Sequence, residues 1–528
     1  MKLSKKMKFS LFILLIILNI ILRVPSVPHE YGIDSFVIHI LANSISRFGS
    51  AEWWVRPESI FGWYPYSEPS AVPFILSGIS QSTGIDMEKV ILLFCVILGL
   101  LSIFAAYILA GKIIDDDLFK FLVAFAFSTS PAILNYLTWT ITARAPFIAL
   151  LPIFTYLLIK CHDSVMRYSL LTLIFTILLF STHHLAYFLI PIFIGYIIAV
   201  IFYKLKTHIK FVKLPKNFDS FVLVTAFLIM FAIPFKTGHI IEVGSRYQAV
   251  MNIFLDELPR YVGVLYIFSV GGLTYLLFKP NKKFGEWSLL LILIFIAPIL
   301  YAETYMKWFV PCFALLLSGI SLINIAKLYE QKKKYVILII VIFLLLSVSF
   351  SGFYQHWRTH GFKKVTLFEG YMKEKTYIAG LWAKENIKNG LTISNDWVLG
   401  PRIFAVSGVP LLTGYDTVDQ AYGLVNVSEL KLEKRSITSD EFYYQGPYKI
   451  ISIYQTPEYF RLDIMRDSYE YYESRYRSRF NFTHVIENKK IRGSFAYHGV
   501  QPSKFLNYIY NKKDYIYDNG RIGVWFLN

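Results

Sequence analysis

Tyr31-Gly-Ile-Asp-Ser-Phe-Val-Ile-His39 and Phe61-Gly-Trp-Tyr-Pro-Tyr-Ser-Glu-Pro69 lie in one long stretch, 23–80, that follows the first apolar run of the chain. A connection this long and this rich in aromatics and prolines is more than a link between two spans. It carries an acid, Asp34, just past the end of the first apolar run, where a membrane helix would meet water. A carboxylate in that setting can be tuned to accept a proton or to bind a divalent ion.

Outward from this stretch the chain is apolar. Of its 528 residues 55% are hydrophobic and 17% charged, against about 25% charged in soluble domains, and the mean hydropathy is +0.48. These values exclude an ordinary soluble domain and predict a polytopic membrane protein with soluble mass attached. The net charge of +17 does not point to nucleic acid, because much of the excess lies in short loops between apolar runs, where it sets orientation. Cys95, Cys161 and Cys312 lie in or beside apolar runs, so the C-terminal region has no disulfide.

Lys2, Lys5, Lys6 and Lys8 precede the run Phe9–Ile21, and no small-residue cleavage site follows it, so it reads as a retained first span with a cytoplasmic N-terminus. Further runs lie near 89–111, 119–137, 145–160, 168–182, 185–203, 218–235, 261–278, 287–302, 308–326 and 335–352. Each approaches the ~20 residues that cross a bilayer, which predicts about eleven transmembrane helices. Alternation places Lys112–Lys120, Lys160–Arg167, Lys204–Lys216, Lys279–Lys283 and Lys327–Lys334 inside, as the positive-inside rule requires. The large first loop 24–87, the His183-His184 pair, segment 236–260, Glu303 and everything after 352 then fall outside.

The predicted architecture is an α-helical multi-pass membrane domain, 1–352, and an extracytoplasmic mixed α/β domain, 353–528. In the latter, Tyr371–Asn386 reads as an amphipathic helix, and Leu391–Ser394, Leu411–Thr413, Lys449–Tyr454 and Ile522–Phe526 as strands, with Asp518-Asn-Gly-Arg521 as a hairpin turn. No glycine-rich phosphate loop, cysteine metal cluster or Gly-x-Ser-x-Gly elbow is found, which argues against nucleotide-driven coupling within this chain.

The candidate residues follow from position. Asp34 either caps the helix that starts beside it or serves as a base. His39 sits among Phe36, Val37, Ile40 and Leu41, which suits a satisfied interface histidine. His183 and His184 are costly in an apolar setting unless used in a metal or polar network; on one helix their side chains diverge by about 100°, so one of them faces a site. Glu303 and Lys307, four apart, either pair with each other or meet a lipid phosphate. Arg144, Arg246 and Arg260 are further outer cations, for which snorkelling is the plainer role. Asp115-Asp116-Asp117 reads as a solvated cytoplasmic loop or a cap, and Asn426 and Asn481 begin glycosylation sequons.

With these residues in place the layout resembles the glycosyltransferase C (GT-C) superfamily, polytopic enzymes that use a polyprenyl-phosphate-linked sugar and often carry a soluble outer domain. The resemblance rests on Asp34-Ser-Phe, Phe61–Pro69, the His183-His184 turn, Glu303-Thr-Tyr-Met-Lys-Trp-Phe-Val-Pro311, Ile393-Ser-Asn-Asp-Trp-Val-Leu-Gly400 and Tyr517-Asp-Asn-Gly-Arg-Ile-Gly-Val-Trp525. There are two departures. Oligosaccharyltransferase catalytic subunits have Trp-Trp-Asp-Tyr-Gly where this chain has Asn395-Asp-Trp-Val-Leu-Gly400. The family often has a second acid before span four, where Trp139-Thr-Ile-Thr-Ala-Arg-Ala-Pro146 offers Arg144.

The resemblance implies a transferase on the outer face of an archaeal-type plasma membrane, moving a sugar from polyprenyl phosphate to a lipid, glycan or protein acceptor. Asp34 would be the base. Lys307, Arg144 and Arg246 would bind the donor phosphate; His183, His184, Glu303 and His39 would form a metal site or polar network; and Trp63, Tyr64, Tyr66 and Glu68 would shape the acceptor groove. The cofactor is left open, with Mg or Mn as the candidate. The alternatives are a divergent oligosaccharyltransferase, a flippase for lipid-linked glycans, which calls for mid-span charge that the runs lack, and a non-catalytic scaffold.

Overall fold

The computed structural model describes residues 2–208, 218–237, 251–302, 307–328, 333–360, 370–427, 430–439, 441–442, 446–451, 457–496 and 499–527. The first half is helical: α1 (Lys5–Ile21), α2 (Ile33–Phe48), α3 (Pro57–Ile60), α4 (Ala71–Thr83), α5 (Met87–Ile113), α6 (Asp117–Ser128), α7 (Pro131–Leu134), α8 (Arg144–Lys160) and α9 (Val165–Thr182) lead into further helices up to His360. Among the described residues, five helices are long and apolar enough to cross a membrane: Met87–Ile113, Val165–Thr182, Ala186–Lys206, Val310–Leu328 and Lys334–His360. The shorter helices Phe218–Pro234, Val264–Phe278 and Phe284–Ile296 are also apolar.

Some runs expected to span fold differently. The run 119–137 breaks after Ser128, because Pro131 has no N–H to continue the ladder and starts a new short helix instead. The run 145–160, by contrast, forms one helix over the expected residues, Arg144–Lys160, with Pro152 inside it.

Apolar helices associate where small residues let backbones approach. A Cβ on Gly272 would lie 1.9 Å from the Leu317 carbonyl oxygen, so the Ile267–Phe278 and Val310–Leu328 helices touch through bare backbone. At the top of α1 the buried Arg23 guanidinium donates to the Asn19 side chain (2.7 Å) and to the Ser128 carbonyl (3.3 Å), tying α1 to the end of α6. At the opposite end Asp116 caps α6, while buried Asp117 accepts from the Leu3 N–H (2.9 Å) and pairs with Lys8 (2.8 Å). The acidic triplet therefore anchors the N-terminus, and its third member is buried instead of solvated.

The C-terminal region contains β1 (Leu391–Ser394), β2 (Leu411–Leu412), β3 (Leu432–Lys434), β4 (Tyr448–Ile450), β5 (Phe482–Asn488), β6 (Ser494–Ala496), β7 (Val500–Pro502), β8 (Asp514–Asp518) and β9 (Ile522–Phe526). Five strands form one mixed sheet in the order β2-β1-β5-β9-β8. β1 runs parallel to β2 and β5, and β9 runs antiparallel to β5 and β8.

Helix α2 joins the two regions. Its Ile38 and Ala42 belong to the core of the helical bundle with Val72, Leu76 and Val90. Its Phe36, Val37, Ile40 and Leu41 belong to the core of the C-terminal domain with Ile403, Phe404, Leu411, Ile486 and Val524. A helix apolar on opposite sides must be covered on both, so the segment that carries α2 forms a middle layer.

Replacing Gly272 by Val is expected to lower the detergent melting temperature, since overpacking of this kind costs ~1–3 kcal/mol. Gly352 has open space around its Cβ position, so Gly352→Ala is the control and should leave the melting temperature unchanged or slightly raised. Equal melting of both variants would refute the close helix contact.

Candidate functional site

Asp34 stands in the first turn of α2, and its position is set by Gly32. Gly32 is the N-cap residue with φ +87°, and a Cβ there would meet Thr140 Oγ1 at 2.7 Å. Only glycine provides both the conformation and the room. The helix has no side-chain cap bond, so Asp34 is not its cap, contrary to one of the two expected roles. Its carboxylate instead faces across to α8, where Asp34 Oδ2 pairs with Arg144 Nη2 at 3.1 Å. The Arg144 guanidinium lies 4.4 Å from the centre of the Trp308 ring, and Lys307 Nζ lies 5.7 Å from the same ring. Lys307 also pairs with Glu257 at 3.2 Å. Arg246 and Glu303 lie outside the described residues.

The pair opens on a cavity of about 450 Å³ between the helical bundle and the C-terminal domain. Two further arginines reach it. Arg358 comes from the last turn of the Lys333–His360 helix and packs over the Tyr136 ring. Arg402 is buried, donates to the Tyr371 carbonyl (3.2 Å) and lies over Phe36 of α2. The turn that brings Trp397, Val398 and Arg402 to the wall is built on Asp396. Its carboxylate accepts from the N–H groups of Val398 (2.8 Å) and Leu399 (3.3 Å) and from the side-chain amide of Asn488 (2.7 Å) at the end of β5.

The cavity wall holds polar atoms that the protein leaves unsatisfied. The Asn135 amide nitrogen and oxygen, Thr142 Oγ1 and Arg358 Nη1 are buried without hydrogen-bond partners. A buried donor without a partner costs ~1–3 kcal/mol, so these atoms are available to a polar ligand in the cavity. With three arginines against the single carboxylate of Asp34 among the lining residues, the ligand type that fits is an anion.

Glu68 lies close enough to feel both members of the pair. Its carboxyl is pushed up to about 7, first by burial and then by the Asp34 charge, with Arg144 opposing. His183 is buried, and burial holds its imidazole well below the usual range, helped by the neighbouring His184 and Arg144 charges. The histidine pair differs from expectation. The helix ends at Thr182 and His183 is extended (φ −157°), so the two rings do not diverge but stack with centroids 4.6 Å apart. Two aromatic residues next in sequence to the site region hold left-handed backbone, Tyr66 (φ 59°), two before Glu68, and Trp139 (φ 53°), one before Thr140. Such strain in bulky residues persists only where the surroundings enforce it.

Other candidates sit elsewhere. His39 Nδ1 meets Glu30 Oε2 at 2.7 Å in the interior, and Glu30 also accepts from Ser35 (2.5 Å), so His39 is a satisfied structural histidine. Tyr64 and Tyr66, expected in the acceptor groove, are each 5% exposed and pack with Val425 and Val427 in a small core. They were drawn inward because the C-terminal domain covers this loop. Trp63 packs edge-on to Phe180 and donates to the His184 carbonyl at 3.4 Å, which links the loop to the histidine turn.

A metal does not fit this donor set. Among the described residues no group of three or more His, Cys, Asp or Glu is placed to hold an ion. The group facing Asp34 is a guanidinium, which repels a second cation.

No family model matches the chain, and no curated protein does. Solved structures do, among them three of the oligosaccharyltransferase of Archaeoglobus fulgidus. The apo form has a TM-score of 0.60 at 13% identity, covering 93% of this chain and 70% of that one. The complex with Zn and sulfate scores 0.55 at 15% identity, covering 92% and 68%. The form tethered to an acceptor peptide containing the NVT sequon scores 0.53 at 14% identity, covering 93% and 70%. At these identities the likeness is one of fold. What is shared is the arrangement of a helical membrane region followed by a C-terminal domain with a mixed sheet.

The Glu68 shift has a sign that can be tested. A carboxyl raised from 4.5 to about 7 adds stability below pH 4.5 that is lost as the pH rises through 7. Glu68→Gln is therefore expected to flatten the fall in melting temperature between pH 5 and pH 8. Asp34→Asn should move the Glu68 transition to lower pH, and Arg144→Gln should move it higher. Shifts of the opposite sign in the two variants would show that Glu68 does not sense this pair.

Proposed function

We propose that this chain is a membrane glycosyltransferase that moves a sugar from a polyprenyl-phosphate donor to a lipid, glycan or protein acceptor. The observation that carries the reading is the Asp34–Arg144 pair at the mouth of a cavity walled by Arg358 and Arg402, in a fold shared with an oligosaccharyltransferase. An acceptor hydroxyl or amide attacks the anomeric carbon while Asp34 takes its proton. The bond from that carbon to the phosphate oxygen breaks, and the phosphate leaves with the electron pair. Arg144 and Arg358 stabilise the negative charge that develops there. In a site shielded from water such fixed cations act strongly. Arg402, buried and held to the Tyr371 carbonyl, adds to the field from the C-terminal side, and Lys307 and Arg246 are assigned to the outer approach of the donor.

The reading places the active face outside the plasma membrane, with the N-terminus cytoplasmic and an odd number of spans, about eleven, before the C-terminal domain. The Zn found with the Archaeoglobus enzyme raises a divalent ion as a cofactor, but the donors around Asp34 do not fit one, and no step is assigned to it. A peptide acceptor is the second reading, favoured by the fold shared with an enzyme captured with an acceptor peptide.

Membranes expressing the chain are expected to transfer sugar from a labelled polyprenyl-phosphate pool. Asp34→Asn should reduce transfer by ~10²–10⁴-fold, the usual worth of a positioned base, and Arg358→Gln by ~10²–10³-fold, as for a lost charge-stabilising donor. Expression and folding should be retained, and a chelator should have no effect. Full transfer by Asp34→Asn would remove it as the base. Translocation of lipid-linked glycan without transfer would favour a flippase.

A further inference from the structure

A second cavity, of about 640 Å³, lies on the other side of the Tyr31–Tyr371 bridge from the candidate site, and its wall includes Pro28 and Tyr371. It is a basic trough. Lys373 and Lys375 enter it from the start of the Glu374–Asn386 helix, Lys489 and Lys490 from the turn after β5, and Arg521 from the β8–β9 hairpin. The one acid on its wall, Glu374, is held by His29 Nε2 at 3.0 Å. Lys489 is held by Asp518 at 2.8 Å. Lys375 and Lys490 are exposed and have no ion pair among the described residues.

The trough is a built feature. Asn519 donates to the Lys375 carbonyl at 2.7 Å, which clamps the hairpin to the helix start. Gly520 lets Lys375 Nζ lie over the turn, 3.5 Å from where a Cβ would be. Three separate chain segments thus converge their cations on one opening. Such a concentration of like charge raises the local potential and attracts an anion.

Its position points to the source of that anion. Tyr371 on its wall touches the ring of His360, the last residue of a helix long and apolar enough to cross a membrane, with centroids 5.5 Å apart. Pro28 follows the end of α1 by only a few residues. The trough therefore opens beside the end of a helix that is a candidate span.

We propose that this trough binds the headgroup of an anionic membrane phospholipid and seats the C-terminal domain against the bilayer surface. Each lysine near an anionic membrane surface strengthens attraction by about fivefold, so exposed Lys375 and Lys490 provide a readable share.

The test uses the full chain purified in mixed micelles of phosphatidylglycerol and phosphatidylcholine, with retained lipid counted by native mass spectrometry. The wild type is expected to retain phosphatidylglycerol over phosphatidylcholine, and high salt should release it. Lys375→Glu with Lys490→Glu should reduce that retention by at least tenfold at an unchanged melting temperature. Lys375→Arg with Lys490→Arg, which keeps the charge and tests folding, should preserve it. Equal retention by the charge-reversed protein would overturn the proposal. So would displacement of the lipid by inorganic phosphate, or an equal thermal shift with phosphate in lipid-free detergent, because the trough would then serve a soluble anion.

Discussion

The structure depends on the two-sided burial of α2. This helix follows the first membrane-adjacent helix in sequence, yet it gives one face to the bundle core and another to the core of a domain more than 300 residues later. Burial of Phe36, Ile40 and Leu41, each at 1% exposure or less, contributes ~1.5–3 kcal/mol per side chain. That energy holds the C-terminal domain on the bundle, and it fixes the first turn of α2 at the seam. Asp34 is therefore placed by packing that lies wholly beneath it, which is how a precise site is kept on an otherwise irregular loop. The Glu30–His39 pair reinforces the same turn from inside, with Ser35 bridging to the Ile141 N–H at 2.8 Å.

That seam also explains why the cavity is cationic. Arg144 arrives on α8, Arg358 on the last long apolar helix and Arg402 on the C-terminal domain. Each guanidinium rests on an aromatic ring, respectively Trp308, Tyr136 and Phe36. Ring faces carry partial negative charge and hold guanidinium groups without neutralising them. Aromatic seating thus keeps three positive charges close together, with Asp34, paired to Arg144, the one carboxylate among the lining residues. The Glu68 carboxyl, raised to about 7, is only partly charged near pH 7, which weakens a second negative charge at the same place.

Parts of this were legible in the sequence. Asp34 and Arg144 stood out separately, as an acid after the first run and a cation at the start of a later one, and the fold brings them to 3.1 Å. The strands at 391–394 and 522–526 and the hairpin turn at 518–521 also read correctly, because alternation and Asn-Gly are local signals. Arg358 and Arg402 were missed. Arg358 lies past the apolar part of its helix, and Arg402 sits in a short amphipathic helix, so no local pattern links them to residue 34. Strand β5, central to the sheet, was missed because Phe482–Asn488 lacks clean alternation; six of its seven residues are buried on both faces, as suits an interior strand. The histidine pair misled because a helix was assumed to continue past Thr182, and Tyr64 and Tyr66 because aromatic loops read alike whether they face a ligand or a second domain.

Under the proposed function, the ion pair also sets an order of events. In the free protein Asp34 Oδ2 is engaged by the Arg144 guanidinium, so this oxygen is not open to an acceptor proton. A donor phosphate entering the cavity competes for the same guanidinium, and its charge-assisted bond to arginine is the stronger kind of hydrogen bond. Trp308 holds the guanidinium by its flat face, which leaves the edge N–H groups to exchange one oxyanion for another without leaving the ring. Donor binding would then release the carboxylate at the moment the anomeric carbon is in place. A base that is withheld until the electrophile arrives protects the lipid-linked sugar from loss to water, which is the side reaction an enzyme at a membrane surface has most need to suppress.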